Sequence, residues 1–251
     1  MSLKLRILVV DDNLMMAKTL CDIIKIKGYE ADISSSGKEA LEKLERNEYH
    51  CVLSDIKMPG MNGLELYKNI KKKFADLPVV LMTAYISPGL AEEALKEGVI
   101  SVLTKPLDIK LILDFISRLK EEKIITIIDD EPEFCNVITD LLIERSYKVI
   151  QINDMDNIDK MVKDDADAIL LDMKLDGTDG LEVLEKIRKK YPSLPVIIVT
   201  GYRELMAHKI EKALEIGAYT CFYKPFHMKE LLGALGDIRN KELGKVFGNN
   251  R

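Results

Sequence analysis

The sequence predicts two tandem α/β domains, each a doubly wound sandwich built on a central parallel sheet of five strands. Two observations carry this prediction. The 251-residue chain repeats four segments at a nearly constant offset of 117 to 119 positions, and within each copy short apolar runs alternate with helical patterns. A repeat of this length is a duplicated domain, since solenoid repeats are only ~20–50 residues long.

The duplicated segments keep the same order in both copies. LSDIKMPGMNGLEL (53–66) corresponds to LLDMKLDGTDGLEVL (170–184), LPVVLMTAY (77–85) to LPVIIVTGY (194–202), and ALKEGVISVLTKPL (94–107) to ALEIGAYTCFYKPF (213–226). Each copy also opens with an apolar run that ends on two adjacent aspartates. We therefore predict a first domain at residues 1–120 and a second at 121–251, the latter with a short C-terminal tail.

The apolar runs and helical patterns predict the individual elements. In the first copy they predict strands at 5–10, 30–33, 51–54, 78–82 and 100–103, and helices at 13–27, 37–46, 63–73, 88–97 and 108–119. In the second copy they predict strands at 123–128, 147–151, 167–171, 195–199 and 219–222, with helices between them and a last helix near 227–239. Continuous apolar runs are typical of strands buried on both faces of a parallel sheet. Function in such sheets gathers at the carboxyl ends of the strands.

Polar residues occupy these strand ends in both copies. In the first copy they are Asp11, Asp12, Asp55, Thr83 and Lys105, and in the second copy Asp129, Asp130, Asp172, Thr200 and Lys224. Two carboxylates about 5 Å apart repel by roughly 3 kcal/mol at an effective dielectric near 20. That such a costly arrangement occurs twice indicates a function that needs it.

Three carboxylates that converge in one cleft predict a cation site, and oxygen-only ligands suit Mg²⁺. We assign Asp12 and Asp55 as direct ligands in the first copy, while Asp11 acts either directly or through a water molecule. The second copy predicts an equivalent site at Asp129, Asp130 and Asp172, so one Mg²⁺ is expected per domain.

The remaining residues fit phosphoryl transfer, in which positioning and charge neutralisation do most of the catalysis. Lys105 places a cation across the site, and the hydroxyl of Thr83 can donate a hydrogen bond to a phosphoryl oxygen. Asp55 is the best candidate for a nucleophile that forms an acyl phosphate, because it lies between the other groups. In the second copy the same roles fall to Lys224, Thr200 and Asp172.

Each copy resembles the receiver domain of two-component response regulators. The resemblance is carried by VVDD, SDIKMPGMNG, MTA and TKP in the first copy and by IIDDEP, LDMKLDGTDG, VTG and YKPF in the second, and it covers about residues 3–120 and 122–240. It implies two flavodoxin-like (βα)5 domains in tandem. A degenerate copy normally loses an acid or the lysine, whereas both copies here keep all five side chains.

The resemblance assigns roles to matching positions of the two copies. It implies that phosphate is accepted from a phosphohistidine by Asp55 and Asp172. It implies that the backbone carbonyl two residues further on is a Mg²⁺ ligand, at Lys57 and Lys174. It also implies cis peptide bonds before Pro106 and Pro225, which would aim the preceding lysines inward.

The function implied is that of a tandem-receiver response regulator. A histidine kinase or a histidine phosphotransfer protein would supply the phosphoryl groups, and phosphorylation would change contacts with an unknown downstream protein. Receivers catalyse their own phosphorylation and dephosphorylation, so the chain would not be a turnover enzyme in the usual sense. Two alternatives stay open: a receiver fragment of a larger hybrid histidine kinase or multidomain regulator, or one active receiver beside an inert docking or dimerisation receiver.

Composition limits the other function classes. Residues 1–120 carry 18 Lys and Arg against 17 Asp and Glu, and the remainder carries 19 against 25, so neither half has the basic excess of a nucleic-acid binder. The apolar runs are shorter than the ~18 residues of a membrane span, and no leader opens the chain, so we expect no membrane contact and a cytoplasmic location. The four cysteines form no CxxC pair, which predicts buried free thiols. A homodimer stays open.

Two departures from the family pattern carry predictions of their own. Many receivers have an aromatic residue three positions before the lysine, where this chain has Val102 and Cys221, so we do not expect a simple aromatic switch. Large side chains flank the predicted cleft mouths at Lys57, Tyr85, Lys174 and Tyr202. Either they restrict the attacking water and slow self-dephosphorylation, or they merely line solvent.

Overall fold

The chain forms two compact α/β units. The computed structural model describes residues 4–85, 88–152, 162, 166–201 and 207–248. Residues 1–121 and 232–251 make up the first unit, and residues 122–231 make up the second. The predicted division into domains at residues 120 and 121 stays a prediction.

The first unit alternates strands and helices as the sequence predicts. Its strands are β1 (Arg6–Val10), β2 (Glu30–Ser34), β3 (Cys51–Asp55), β4 (Val79–Thr83) and β5 (Ser101–Thr104). Its helices are α1 (Leu14–Ile26), α2 (Gly37–Arg46), α3 (Gly63–Lys73), α4 (Pro88–Lys96) and α5 (Ile109–Arg118). All five strands pair in parallel, in the order β2-β1-β3-β4-β5.

Successive strand residues point to opposite faces of the first sheet, and each face has its own core. Ile7 and Val9 join one apolar cluster with residues of α1 and α5, whereas Leu8 and Val10 join the other with residues of α2, α3 and α4. Since helices cover both faces, polar side chains of the central strands can reach solvent at the strand ends.

The second unit repeats this architecture. Its main strands are β6 (Lys123–Ile128), β7 (Tyr147–Ile152), β8 (Ala168–Asp172), β11 (Val196–Thr200) and β12 (Thr220–Tyr223), which pair in parallel in the order β7-β6-β8-β11-β12. Its helices are α6 (Pro132–Ile143), α7 (Gly180–Lys190), α8 (Ala207–Ile216) and the start of α9 (Met228–Gly244). The helix expected between β7 and β8 falls largely outside the described residues.

A short antiparallel hairpin follows β8 and was not predicted from the sequence. Its strands are β9 (Lys174–Leu175) and β10 (Thr178–Asp179). Gly177 lies in the turn with φ of +74°, a conformation that favours glycine. The hairpin therefore shapes the loop that leaves the predicted acceptor strand.

The last helix is longer than the sequence pattern indicates. We predicted an end near residue 239, but α9 continues to Gly244 and is followed by a 3₁₀ turn at Lys245–Phe247. The continuation packs into the first unit: Leu243 is buried in the core beside α5, and the ring of Phe247 lies 5.2 Å from that of Phe115. This tertiary packing extends the helix beyond what its local sequence favours.

The structure bears on the predictions about the cysteines and about membrane spans. Cys21, Cys51 and Cys135 are buried free thiols, as predicted, whereas the free thiol of Cys221 is only half-buried. Across the described ranges, no helix is both long and apolar enough to cross a bilayer.

Candidate functional site

The first candidate site lies where β1, β3 and β5 end. The ammonium of Lys105 lies 2.7 Å from Asp11 Oδ2 and 2.5 Å from Asp55 Oδ1. Both carboxylates are buried, and the side chain of Lys105 itself is only 13% exposed. Three residues that are 44 to 94 positions apart in the sequence thus meet because parallel strands end at one edge of the sheet.

Backbone hydrogen bonds fix the orientation of the two buried acids. The N–H of Lys57 donates to Asp55 Oδ2 at 2.8 Å, and the N–H of Asn13 donates to Asp11 Oδ1 at 2.9 Å. Each acid therefore uses one oxygen for the backbone and turns the other toward Lys105. The peptide bond between Lys105 and Pro106 is cis, as the family resemblance implies.

The other two predicted residues of the first site lie at the same edge. Asp12 follows Asp11 and is exposed, so its carboxylate faces solvent. Thr83 ends β4 and is fully buried, and its hydroxyl donates a 3.0 Å hydrogen bond to the carbonyl of Tyr85. A phosphoryl oxygen would have to replace that carbonyl as the acceptor.

The lysine of the first site is held as a cation. Burial lowers the pKa of Lys105, but hydrogen bonds and charge interactions with Asp11 and Asp55 outweigh burial and raise the pKa above its ordinary value. The site therefore offers a fixed positive charge beside the predicted nucleophile.

The second candidate site has the same parts in a different arrangement. The ammonium of Lys224 lies 2.7 Å from Asp129 Oδ2 but 3.5 Å from Asp172 Oδ2. The N–H of Lys174 donates to Asp172 Oδ1 at 3.2 Å, and the bond before Pro225 is cis. Thr200 ends β11 and is fully buried, as Thr83 is in the first unit.

Three acids of the second site converge on one point. Carboxylate oxygens of Asp129, Asp130 and Asp172 all lie within 4.8 Å of one another. Burial raises the pKa of Asp129 and of Asp172, although Lys224 opposes the shift in both. Carboxylates that resist ionisation in this way fit a divalent cation, whose charge would offset their repulsion.

Two further residues contact Lys224, and sequence reasoning missed both. Glu131 Oε2 lies 3.3 Å from the ammonium, which in turn lies 3.8 Å from the ring centroid of Phe134. Their positions relative to the acid pair are held in the first copy by Asn13 and Met16. This difference between two otherwise matching segments was the signal in the sequence that could have drawn attention to Glu131 and Phe134.

Two glycines were also missed as functional residues. A Cβ atom on Gly63 would lie 2.3 Å from the carbonyl oxygen of Asp55, and one on Gly180 would lie 2.4 Å from that of Asp172. Each glycine starts the helix after the strand that ends on the predicted acceptor, so the helix can approach the backbone of that residue closely. Their recurrence at an offset of 117 positions pointed to this shared packing.

The residues predicted to flank the first cleft mouth do come together. The ammonium of Lys57 lies 6.0 Å from the ring centroid of Tyr85, which is 68% exposed. Tyr202, the matching residue of the second copy, lies outside the described residues. The effect of these side chains on hydrolysis stays a prediction.

Beside the second site lies a cleft of about 710 Å³. Asp172, Lys224 and Glu131 line this cleft together with apolar residues of α6 and of the segment that follows Lys224, among them Phe134 and Phe226. The predicted acceptor Asp172 therefore lines a cleft whose other lining residues are mainly apolar.

Comparison with known proteins identifies the family. The model of the response regulator receiver domain matches residues 7–117 and again residues 125–236. The chain belongs to this family and contains two receiver domains in tandem. Its two five-stranded parallel sheets with helices on both faces are two flavodoxin-like folds.

The relatives that match include proteins of two sizes. A response regulator receiver protein of Anaeromyxobacter sp. (strain Fw109-5) is 27% identical over 241 residues, which are 96% of this chain and 98% of that protein. The transcriptional regulatory protein ZraR of Klebsiella oxytoca is 42% identical over 102 residues, but these are only 23% of its length. This chain thus spans less than a quarter of ZraR.

Several solved structures of receiver domains match about half of the chain. The response regulator protein TrrA from Thermotoga maritima, in complex with Mg²⁺-BeF, is 32% identical and covers 46% of this chain and 98% of its own, with a TM-score of 0.42. Receiver domains generally bind Mg²⁺ at an acidic pocket, and the aspartates of the second unit form such a cluster.

Proposed function

We propose that this chain is a tandem-receiver response regulator that accepts phosphoryl groups on Asp55 and Asp172. One observation carries the proposal: in each unit a buried carboxylate at the end of the third strand receives a backbone hydrogen bond on one oxygen and faces a lysine with the other. The carboxylate is thus oriented and charge-neutralised for nucleophilic attack.

The proposed donor is a phosphohistidine on a histidine kinase or on a histidine phosphotransfer protein. A carboxylate oxygen of Asp55 or Asp172 attacks phosphorus, the P–N bond breaks, and the imidazole leaves with a proton from solvent. Lys105 or Lys224 pairs with the negative charge that the phosphoryl group brings. The hydroxyl of Thr83 or Thr200 donates a hydrogen bond to one of its oxygens.

The donor set of each proposed site consists of oxygen atoms, which suit Mg²⁺. In the second unit the three carboxylates also lie within 4.8 Å of one another. The proposed ligands are the acid pair, the acceptor and the carbonyl two residues further on: Asp11, Asp12, Asp55 and Lys57 in the first unit, and Asp129, Asp130, Asp172 and Lys174 in the second. When bound, Mg²⁺ supplies positive charge that offsets the carboxylates and the phosphoryl oxygens.

Phosphorylation would act by changing protein contacts, in the cytoplasm and without direct contact to nucleic acid. Either this chain is the whole regulator, or it is the receiver part of a larger hybrid kinase or multidomain regulator. The second possibility is kept because ZraR is much longer than the region that matches this chain. The full reading frame of the gene decides between these two. That one receiver is inert stays an alternative, since the two lysines are placed differently.

The proposal is tested by intact mass after incubation with acetyl phosphate and Mg²⁺. We expect two added phosphoryl groups on the wild type, one on Asp55→Asn, one on Asp172→Asn and none on the double variant. One phosphoryl group on the wild type, lost in only one variant, would reduce the proposal to one working receiver. No phosphoryl group on any of these proteins would overturn it.

A further inference from the structure

The lysines of the two sites have different sets of partners. Within the described residues, Lys105 contacts two acids, Asp11 and Asp55. Lys224 contacts Asp129 closely, but it is also reached by Glu131 and Phe134, whose positions in the first copy are held by Asn13 and Met16. Its distance to the predicted acceptor is 3.5 Å, against 2.5 Å in the first unit.

The first of these additional groups is the carboxylate of Glu131. Asn13, its counterpart, uses its side chain to accept a hydrogen bond from the N–H of Met16 and so caps α1. Glu131 precedes α6 but makes no side-chain cap, and its carboxylate instead reaches to 3.3 Å from Lys224. Its side chain is 59% exposed, so it lies at the mouth of the site.

The second additional group is the ring of Phe134, whose face lies against the ammonium. The ring is itself fixed, because its centroid lies 6.2 Å from that of Phe226 in an edge-on contact. Phe226 in turn packs against Phe222 at 5.6 Å. Lys224 therefore contacts an aromatic face in addition to carboxylates.

We propose that Glu131 is a positioning residue of the second receiver: together with Phe134, it holds Lys224 back from Asp172. As a result, phosphorylation of Asp172 requires a higher concentration of anionic phosphodonor. This inference rests on the proposed function. An incoming phosphoryl group must take Lys224 away from Glu131, and the carboxylate of Glu131 repels the donor at the cleft mouth. The first receiver, which has Asn13 there, carries no such competitor.

The test uses the full chain with Asp55→Asn, so that only Asp172 can accept. The rate of phosphorylation is followed by intact mass over a range of acetyl phosphate concentrations at saturating Mg²⁺. Adding Glu131→Gln removes the charge but keeps the shape. We expect the half-saturating donor concentration to fall about fivefold, the scale of one exposed charge interaction, and to fall by more than the maximal rate changes.

A reciprocal change tests the same idea in the first receiver and does not depend on how Glu131→Gln folds. In the full chain with Asp172→Asn, Asn13→Glu should raise the half-saturating donor concentration for Asp55. Asn13→Gln is the matched control, because it also loses the cap of α1 but adds no charge. Both shifts in the half-saturating donor concentration should become smaller as the salt concentration rises, since the groups at the cleft mouth are exposed.

The outcomes separate the inference from the function on which it rests. The inference is overturned, and the proposed function stands, if Asp172 is phosphorylated with the same half-saturating donor concentration with and without Glu131→Gln. The same holds if Glu131→Gln changes only the maximal rate. An absence of phosphate on Asp172 in the Asp55→Asn parent overturns both. A lower donor requirement in Glu131→Gln with a higher one in Asn13→Glu supports the inference.

Discussion

The ammonium of Lys105 lies 2.5 Å from the carboxylate of Asp55, and this ion pair joins the ends of β3 and β5 in the first sheet. The same ammonium also bonds Asp11 at 2.7 Å. One cation therefore neutralises two buried acids, so we expect the lysine to matter for stability as well as for the proposed phosphoryl transfer.

Replacing Lys105 by Met should destabilise the first unit by about 3 kcal/mol in the absence of Mg²⁺, because two buried carboxylates lose their cation. Hydrogen exchange of the peptides that contain β1 and β3 measures this. Lys245→Met is the control: Lys245 pairs with Glu242 at the surface and should cost less than about 0.5 kcal/mol. Unchanged protection from hydrogen exchange in Lys105→Met would show that the ion pairs of Lys105 are not needed for the stability of the first unit.

Replacing Asp172 by Asn should stabilise the second unit at pH 7 without Mg²⁺. The raised pKa of Asp172 means that its charge costs stability above that pKa, and the cost disappears when the pH falls through it or when Asn removes the charge. We expect about 1 kcal/mol, because burial of the Asp172 charge is the main cause of the raised pKa, repulsion from Asp129 adds to it, and Lys224 offsets only part of the cost.

Thermal unfolding with and without Mg²⁺ checks this prediction. Mg²⁺ should raise the unfolding midpoint of the wild type and should narrow the gap between wild type and Asp172→Asn, because the ion offsets the cost of the buried carboxylate charge. A variant that is less stable than the wild type without Mg²⁺ would contradict the electrostatic account of this acid cluster.

Gly63→Ala should destabilise the first unit by about 2 kcal/mol, because the added Cβ would lie 2.3 Å from the carbonyl oxygen of Asp55. It should also slow phosphorylation, since the acceptor backbone must move. Gly89→Ala in α4 is the matched control: its Cβ would meet nothing within 4 Å, and we expect unchanged or slightly higher stability. Equal behaviour of the two variants in urea unfolding would refute the packing argument.

Glu39 predicts a specific pH dependence. Hydrogen bonds from Lys43 and from the N–H of Ser35 lower the pKa of Glu39 to about 2. A lowered folded-state pKa contributes stability above the unfolded value of about 4.3, and this contribution is lost as the pH falls toward about 2. Glu39→Gln should therefore be less stable than the wild type at pH 7, by about 0.5 kcal/mol for an exposed pair.

Urea unfolding of Glu39→Gln and wild type between about pH 7 and about pH 2 measures this difference. The gap between the two proteins should close over the window from about pH 4.3 down to about pH 2. A gap that stays constant over that window would mean that the ion pair with Lys43 does not stabilise α2.

Tyr85→Ala should raise the rate at which phosphate is lost from Asp55, if the ring beside Lys57 restricts the attacking water. Intact mass after removal of the donor follows this loss in the chain with Asp172→Asn. Tyr85→Phe keeps the ring and should keep the rate of the parent. Equal rates in all three proteins would favour the alternative in which Tyr85 merely lines solvent.

The fold and the main residues of both sites were accessible from the sequence, because their signals are local. Apolar runs such as residues 51–54 define buried strands, and the polar residue that ends each strand must lie at one edge of a parallel sheet. The meeting of Asp11, Asp55 and Lys105 follows from that rule alone.

What sequence reasoning missed depends on contacts between distant segments. Glu131 and Phe134 gather at Lys224 because α6 starts beside the residues that follow the fifth strand of its sheet. The difference from Asn13 and Met16 marks these two positions in the sequence, but it does not show the contact with Lys224. The extension of α9 beyond residue 239 depends on burial of Leu243 in the first unit. Such packing is decided by three-dimensional fit and not by helical periodicity.

We propose that Asp55 and Asp172 are the phosphoacceptors, and borohydride trapping is the sharpest test of that assignment. Wild-type protein is incubated with acetyl phosphate and Mg²⁺, reduced with borohydride so that an aspartyl phosphate becomes homoserine, and digested for peptide mass spectrometry. We expect homoserine at positions 55 and 172. Homoserine at any other aspartate, or at neither position, would contradict it.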